Sequence, residues 1–184
     1  LLNKVFTRNV STIKIGRCSY QFACYHDGGM ITDGILLKLD QNRFWMAQAD
    51  GDLFNWYKAH AEGLNVEITD PNVWVSQVQG PNSLELLGEV LDQPLSSPLR
   101  YFDCAEVLIA NQKCWISRSG FTNELGWEVY LSPDTDVAAI GDKIISIGKK
   151  LDLPLTGPLV FRARRSEAGL LNAGSDVDAN TTPY

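Results

Sequence analysis

The sequence has no CxxC pair, no two histidines at metal-ligand spacing, and no apolar run near the roughly 18 residues of a membrane span. The first two absences argue against a zinc centre or a dithiol redox site, and the third against a transmembrane helix. Walker-type loops, the dinucleotide-binding glycine fingerprint and the nucleophile elbow are missing too, so nucleotide-phosphate and hydride chemistry have no motif here. Surplus positive charge is also lacking. The formal net charge of −6 disfavours nucleic acid or an anionic membrane as the main partner, although Arg162, Arg164 and Arg165 cluster. The N-terminal LLNKVFTRNV has neither an initiator Met nor a basic-then-apolar leader, so a piece of a longer chain, or a processed one, is expected. Cys104 and Cys114 could face each other across a hairpin, but the four cysteines are better read as buried free thiols in a reducing compartment. That means the cytoplasm, or a mitochondrion in a eukaryote.

What is present suits a folded core. Of 184 residues, 45% are apolar and 21% charged, enough for one medium or two small domains. GRCSYQFAC reads as a strand, HDGG as a turn, 30–39 as a second strand, DQNR as another turn and 44–49 as a third strand: an antiparallel meander. A helix is expected over 51–63, capped by Asp50 or Asp52, with Leu53, Trp56, Tyr57 and His60 on one face; 65–70 reads as a strand. Further on, 72–80 reads as a strand. A helix follows Pro81 with a stripe of Leu84, Leu87 and Leu91, and a hairpin turns at Asn111-Gln112. GWEVYLS is a strand, an amphipathic helix is capped by Asp134 or Asp136, and a short helix ends in a glycine turn. The fold class is α+β, with antiparallel sheets and flanking helices. Two lobes are expected, 1–70 and 71–184, with no internal repeat.

Three features carry chemistry. In the second strand Ile31, Ile35, Leu37 and Leu39 share one face, and Asp33 breaks it. A carboxylate on a core face is costly unless partnered, protonated or turned to a ligand; a structural capping role is the alternative. In SRSGFTNELGWEVYL (117–131), Leu125, Trp127, Val129 and Leu131 alternate with Glu124, Gly126, Glu128 and Tyr130. The second set is either a solvated edge or a surface whose carboxylate accepts hydrogen bonds from an amino-heterocycle. In FRARRSEAG (161–169) the arginines either form an exposed basic face or pair with a carboxylate or phosphate.

Taken in order, four segments resemble the folate-binding aminomethyltransferase family, which includes the T-protein of the glycine cleavage system and relatives that demethylate small molecules with tetrahydrofolate. GRCSYQFACYHDGGMITDGILLKL resembles its strand–Gly-Gly–Ile-Asp-Asp–strand segment, and VSQVQGPNSLELL its Gln-Gly-Pro turn before a helix. SGFTNELGWEVYL resembles Thr-Gly-Tyr-Thr-Gly-Glu-x-Gly-Tyr-Glu. RSEAGLLNAGSDVDANTTPY resembles Arg-Leu-Glu-Ala-Gly followed by Gly-x-Asp-x-Asp-x-x-Thr-x-Pro. The resemblance implies the folate-binding lobes of a three-lobed architecture, without its C-terminal barrel, around a central pocket that 71–184 would complete. By the same resemblance Asp33 is the catalytic acid beside the reactive pterin nitrogen, Tyr20, Ile35 and Leu37 line the folate wall, and Gln48 stands near a usual asparagine. Glu128 would hydrogen-bond the pterin ring, Glu124 belongs to the same signature, and Phe121 replaces its first tyrosine. Arg162 lies one position beyond the family's arginine. Thr32 replaces the first aspartate of the pair and Asn123 a signature glycine.

The implied activity is one-carbon transfer to tetrahydrofolate, from a lipoylated carrier protein or from a small-molecule methyl donor, with no metal. A non-enzymatic folate-binding relative of the iron–sulfur maintenance type is the alternative. Its Lys-Gly-Cys-Tyr-x-Gly-Gln-Glu motif has no counterpart in GLLNAGSDVDANTTPY, which lacks cysteine. A plain binding module is the third reading.

Overall fold

The computed structural model describes residues 1–48 and 51–183. The chain divides into two compact units: Leu1–Asp70 together with Leu171–Tyr184, and Pro71–Leu170. The closing segment was expected in the second lobe, but it joins the first. The reason is a contact distant in sequence: the Met30 amide lies within hydrogen-bond reach of both the Asp178 and the Thr181 carbonyl, which fastens the 178–181 turn to the HDGG hairpin.

The first unit holds an antiparallel sheet of β1 (Arg17–Cys24), β2 (Met30–Lys38) and β3 (Phe44–Ala47), in that order. Its core gathers Val5 of helix α1 (Leu2–Val5), Phe6, Val10, Ile13 and Leu53 of α2 (Leu53–His60) against Ala23 and Leu36, with Phe44 and Met46 alongside. The face expected for the core is therefore the wrong one. Leu36 points to the helices, whereas Asp33, Ile35 and Leu37 point the other way, opposite Phe22, Tyr20 and Cys18 of β1. A register skip explains the misreading: Ala23 pairs with Thr32 but Cys24 with Met30, so Ile31 is left over as a bulge and packs on the core. Parity read across the bulge assigns the downstream residues to the wrong side.

Asp52 caps α2 by accepting the Asn55 amide at 3.2 Å, and Asp50 lies outside the described residues, as does the end of the strand expected to 49. No strand forms at 65–70. Val66 there is 44% exposed and its neighbours face solvent, so the alternation has no surface to bury.

The second unit holds a four-stranded antiparallel sheet in the order β4 (Trp74–Gln79), β7 (Gly126–Leu131), β6 (Gln112–Ser117), β5 (Cys104–Ile109). Helices α3 (Ser83–Val90) and α4 (Val137–Gly148) supply Leu86, Leu87, Val90 and Ile140 to a core with Trp127, Val129, Leu131, Ile116, Val107 and Ile109. The α3 stripe is thus Leu86, Leu87 and Val90, and Leu84 and Leu91 sit at its margins. The Trp127 indole, fully buried, donates to the Ser83 carbonyl at 2.8 Å, so its one polar atom is satisfied. The β5–β6 hairpin turns at Ala110-Asn111, both at positive φ (52° and 59°), one residue earlier than expected. That backbone suits the right-handed strand twist, which the sequence does not advertise because Ala110 seldom adopts it. Asp136 caps α4 through the Ala139 amide at 3.0 Å, and α5 (Pro158–Ala168) ends at Gly169, φ 71°. All four cysteines are free; Cys104 pairs with Ser117 and Cys114 with Val107, so the two do not oppose each other.

Candidate functional site

In the first unit, Tyr20 and Asp33 meet. Tyr20 stands opposite Ile35 in the β1–β2 ladder, and the diagonal of that pair brings its hydroxyl to Asp33 Oδ2, to which it donates. Burial, then the hydrogen bond to Asp33, then the negative charge of Asp33 push the Tyr20 phenol well above its usual range, so it remains a donor. The Tyr20 and Phe22 rings pack edge-to-face with centroids 4.9 Å apart. Ile35 is half-buried and Leu37 fully buried on the same strand face. The carboxylate that broke the apolar pattern is therefore partnered by a hydroxyl, on the sheet face turned away from the helices. Thr32 points to the opposite face and is 1% exposed, so the departure from the Asp-Asp pair lies on the core side. Gln48 is exposed, and its amide donates to the Gly51 carbonyl at 2.9 Å.

In the second unit, Glu128 lies on the middle of β7 and is 8% exposed. This is no solvated edge: β7 is flanked by β4 and β6, and Gln77 and Ser117 stand opposite Glu128 on either side. Gln77 Nε2 donates to Glu128 Oε1 at 2.8 Å. The hydroxyls of Ser119, Tyr130 (3.2 Å) and Ser117 (3.5 Å) converge on Oε2. Burial raises the carboxyl above its ordinary value, and these donors, which favour the ionised form, offset part of that rise.

The signature loop closes over a second glutamine. Gln79 Nε2 donates to the Ser119 carbonyl at 3.2 Å, and Gln79 Oε1 accepts from the Thr122 hydroxyl at 2.7 Å. A Cβ at Gly120 would fall 2.1 Å from this amide and one at Gly126 2.5 Å, so both glycines are needed for the close fit. Phe121 reaches the network through its backbone: its N–H donates to Gln77 Oε1 at 3.2 Å. Glu124 pairs with Arg164, which also binds Glu167 at 2.6 Å, whereas Arg162 is exposed. The arginine that meets the signature loop is thus two positions beyond the one singled out.

Gln77, Ser117 and Ser119 were not singled out along the chain, and Gln79 stood there only as the first residue of the Gln-Gly-Pro turn. Their signal was available: two amides at alternate positions in the strand VSQVQ, and two small hydroxyl residues just before the loop. Among the described residues no three His, Cys, Asp or Glu side chains gather as metal ligands, and no helix is long and apolar enough to cross a membrane.

The sequence and the fold are similar to those of known proteins. Residues 1–184 match the family model described as the GCVT N-terminal domain. The chain is 34% identical to an aminomethyltransferase of Alkaliphilus oremlandii, across 96% of this chain and 49% of that protein. It is 28% identical to the dimethylsulfoniopropionate demethylase DmdA of Ruegeria pomeroyi, across 100% of this chain and 50% of that one. Its fold is similar to the crystal structure of glycine cleavage system aminomethyltransferase T from Bartonella henselae. The TM-score is 0.86 at 24% identity, covering 99% of this chain and 49% of the other. The chain thus spans about half the length of the curated relatives it matches. The chain belongs to the GCVT N-terminal domain family, and its two α+β units are the aminomethyltransferase fold over that span.

Proposed function

We propose that this chain is the folate-binding part of a tetrahydrofolate-dependent one-carbon transferase. The observation that carries the reading is Asp33, a carboxylate held by the Tyr20 hydroxyl on a sheet face whose neighbours Ile35, Leu37 and Phe22 are apolar. An acid in such surroundings interacts strongly with a nearby nitrogen and its proton, because little water competes. Tetrahydrofolate supplies the nucleophilic pterin nitrogen. Asp33 orients that nitrogen and its proton and offsets positive charge as the new bond forms; Tyr20 fixes the carboxylate's rotation. Glu128 suits an amino-heterocycle as well, since a carboxylate accepts from N–H donors and, among the described residues, its Oε1 accepts only from Gln77.

Two donor classes are open on this reading: a small methylated molecule, in keeping with a relative named as a demethylase, and a lipoylated carrier protein, as the resemblance to the glycine cleavage T-protein implies. The free thiols fit a reducing compartment, cytoplasmic or mitochondrial. The test is to incubate the complete protein with tetrahydrofolate and either an aminomethyl-loaded lipoylated carrier or a panel of methylated donors. Mass spectrometry then reports methylene- or methyl-tetrahydrofolate. Product from one donor class names the partner. Unchanged affinity and turnover in Asp33→Ala would remove Asp33 from the mechanism.

A further inference from the structure

We infer that Gln77 is a positioning residue, one that holds the Glu128 carboxylate at the angle its ligand requires and takes its own orientation from the signature loop. This rests on the folate-binding reading of Glu128. The three groups around Oε2 are hydroxyls, which re-aim their hydrogens by turning about their C–O bonds and so constrain the carboxylate's angle less than a planar donor does. Gln77 is different. Its amide is planar, sits directly opposite Glu128 in the β4–β7 ladder, and donates at 2.8 Å to the other oxygen.

An amide can present either end to a neighbour. Here the Phe121 N–H, aimed at Gln77 Oε1 at 3.2 Å, selects the orientation that puts Nε2 on Glu128. Phe121 belongs to the loop that Gln79 clamps through Ser119 and Thr122. A displaced loop would release the Gln77 amide, free it to rotate, and leave a buried carboxylate short of its one amide donor. Loop placement and carboxylate placement are thereby one event. Tyr130 is the titratable group facing Glu128 on its own strand. The neighbours on β4, on β6 and in the loop, Gln77, Ser117 and Ser119, are neutral.

Gln77→Glu separates this role from simple packing, because it keeps the size and the acceptor for Phe121 but turns the donor into a second acid. At high pH two carboxylates face each other; on acidification they share one proton and the donor returns. In the complete protein, tetrahydrofolate affinity of Q77E should be at least tenfold weaker than wild type at pH 8 and should recover as pH falls, while the wild-type profile stays flat over that range. In the absence of ligand its melting temperature should follow the same trend. Gln77→Met, which keeps the length and loses the donor, should also bind at least tenfold more weakly, and its affinity should fall off at a higher pH on the acid side than wild type's.

Affinity of Q77E within twofold of wild type throughout, or weakened equally at every pH, overturns the assignment. If Q77E does not fold, Q77M decides: an affinity within twofold of wild type, or an unmoved acid limb, overturns it equally. Wild-type protein that fails to bind tetrahydrofolate would instead sink the functional reading, and the ligand-free melting profile would still judge the Gln77–Glu128 pairing.

Discussion

Replacing Gly29 by alanine should detach the closing turn from the hairpin that delivers β2. Gly29 lies outside the left-handed region, so alanine brings no backbone penalty there and should even stabilise by roughly 0.4–1 kcal/mol through the unfolded chain. The obstacle is space. Its Cβ would stand 2.0 Å from the Ala179 carbonyl oxygen and 2.9 Å from the carbonyl carbon, both main-chain atoms that no rotamer change can move. Ordinary contact begins near 3.4 Å, so the 178–181 turn must retreat by about 1.4 Å, the difference between 3.4 and 2.0 Å. That retreat breaks the approach of the Met30 N–H to the Asp178 carbonyl at 3.2 Å and the Thr181 carbonyl at 3.0 Å. A hydrogen bond of this kind contributes about 1 kcal/mol net, and a buried amide left unpaired costs about 1–3. With the entropic gain subtracted, the net loss should be about 1–2 kcal/mol. Its neighbour Gly28 behaves differently: φ is 92° and the nearest atom to a Cβ is the Thr182 methyl at 3.5 Å, so G28A suffers from backbone strain and keeps the turn docked. Urea denaturation gives the energies, and hydrogen exchange of residues 171–183 gives the docking. Equal stability and equal protection of that segment in G29A would refute the steric account.

Glu128→Gln should flatten the pH dependence of stability. The folded carboxyl lies above its unfolded value, so its contribution is full below the unfolded pKa and is lost as pH rises through the folded one, at up to about 1.4 kcal/mol per pH unit. Melting curves from acid to neutral pH check this, and an unchanged slope in E128Q would contradict it. Asp33→Asn should return Tyr20 ionisation part of the way to about 10, because both the charge and the hydrogen-bond acceptor that raise it are weakened, while burial remains. Ultraviolet titration of the phenolate reads this, and a Tyr20 that titrates as in wild type would mean the pair is not formed in solution. Arg164→Ala should cost no more than about 1 kcal/mol, since both partners of its ion pair with Glu124 are partly exposed. Arg162→Ala should change stability less still, and the order reversed in thermal melts would relocate the loop's anchor.

Much of the fold could be read along the chain because its signals are local. The meander is announced by tight turns, α4 by an acidic cap at Asp134 or Asp136, of which Asp136 serves, and α5 by the glycine turn at its end. What stayed hidden depends on contacts distant in sequence. Residues 65–70 alternate like a strand, yet alternation forms a strand only where another element covers one face, and all of them but the half-buried Ile68 are exposed. The closing segment reads as a tail of the second lobe, but its fate is decided by a carbonyl meeting the Met30 amide about 150 positions earlier.

The same distinction governs the site. Asp33 was conspicuous because it breaks a pattern, and the break was read against a face that the bulge at Ile31 had already exchanged. The corrected geometry strengthens its candidacy: an acid buried among helix-packed leucines would need a partner merely to fold, whereas one on the other face, with Tyr20 holding a single oxygen, can also serve a ligand. Gln77 was inconspicuous for the converse reason. A glutamine in a half-buried edge strand violates nothing, and its meaning appears only when β7 is laid beside β4 and Glu128 comes to stand opposite. Pattern exposes residues that conflict with their surroundings; the residues that relieve the conflict are found by register. Glu128 needs its donors because β7 is central, and each donor sits where the β4–β7–β6 ladder or the loop returning from β6 places it. The burial of this carboxylate and the neighbours that make that burial tolerable are therefore set by the same strand order.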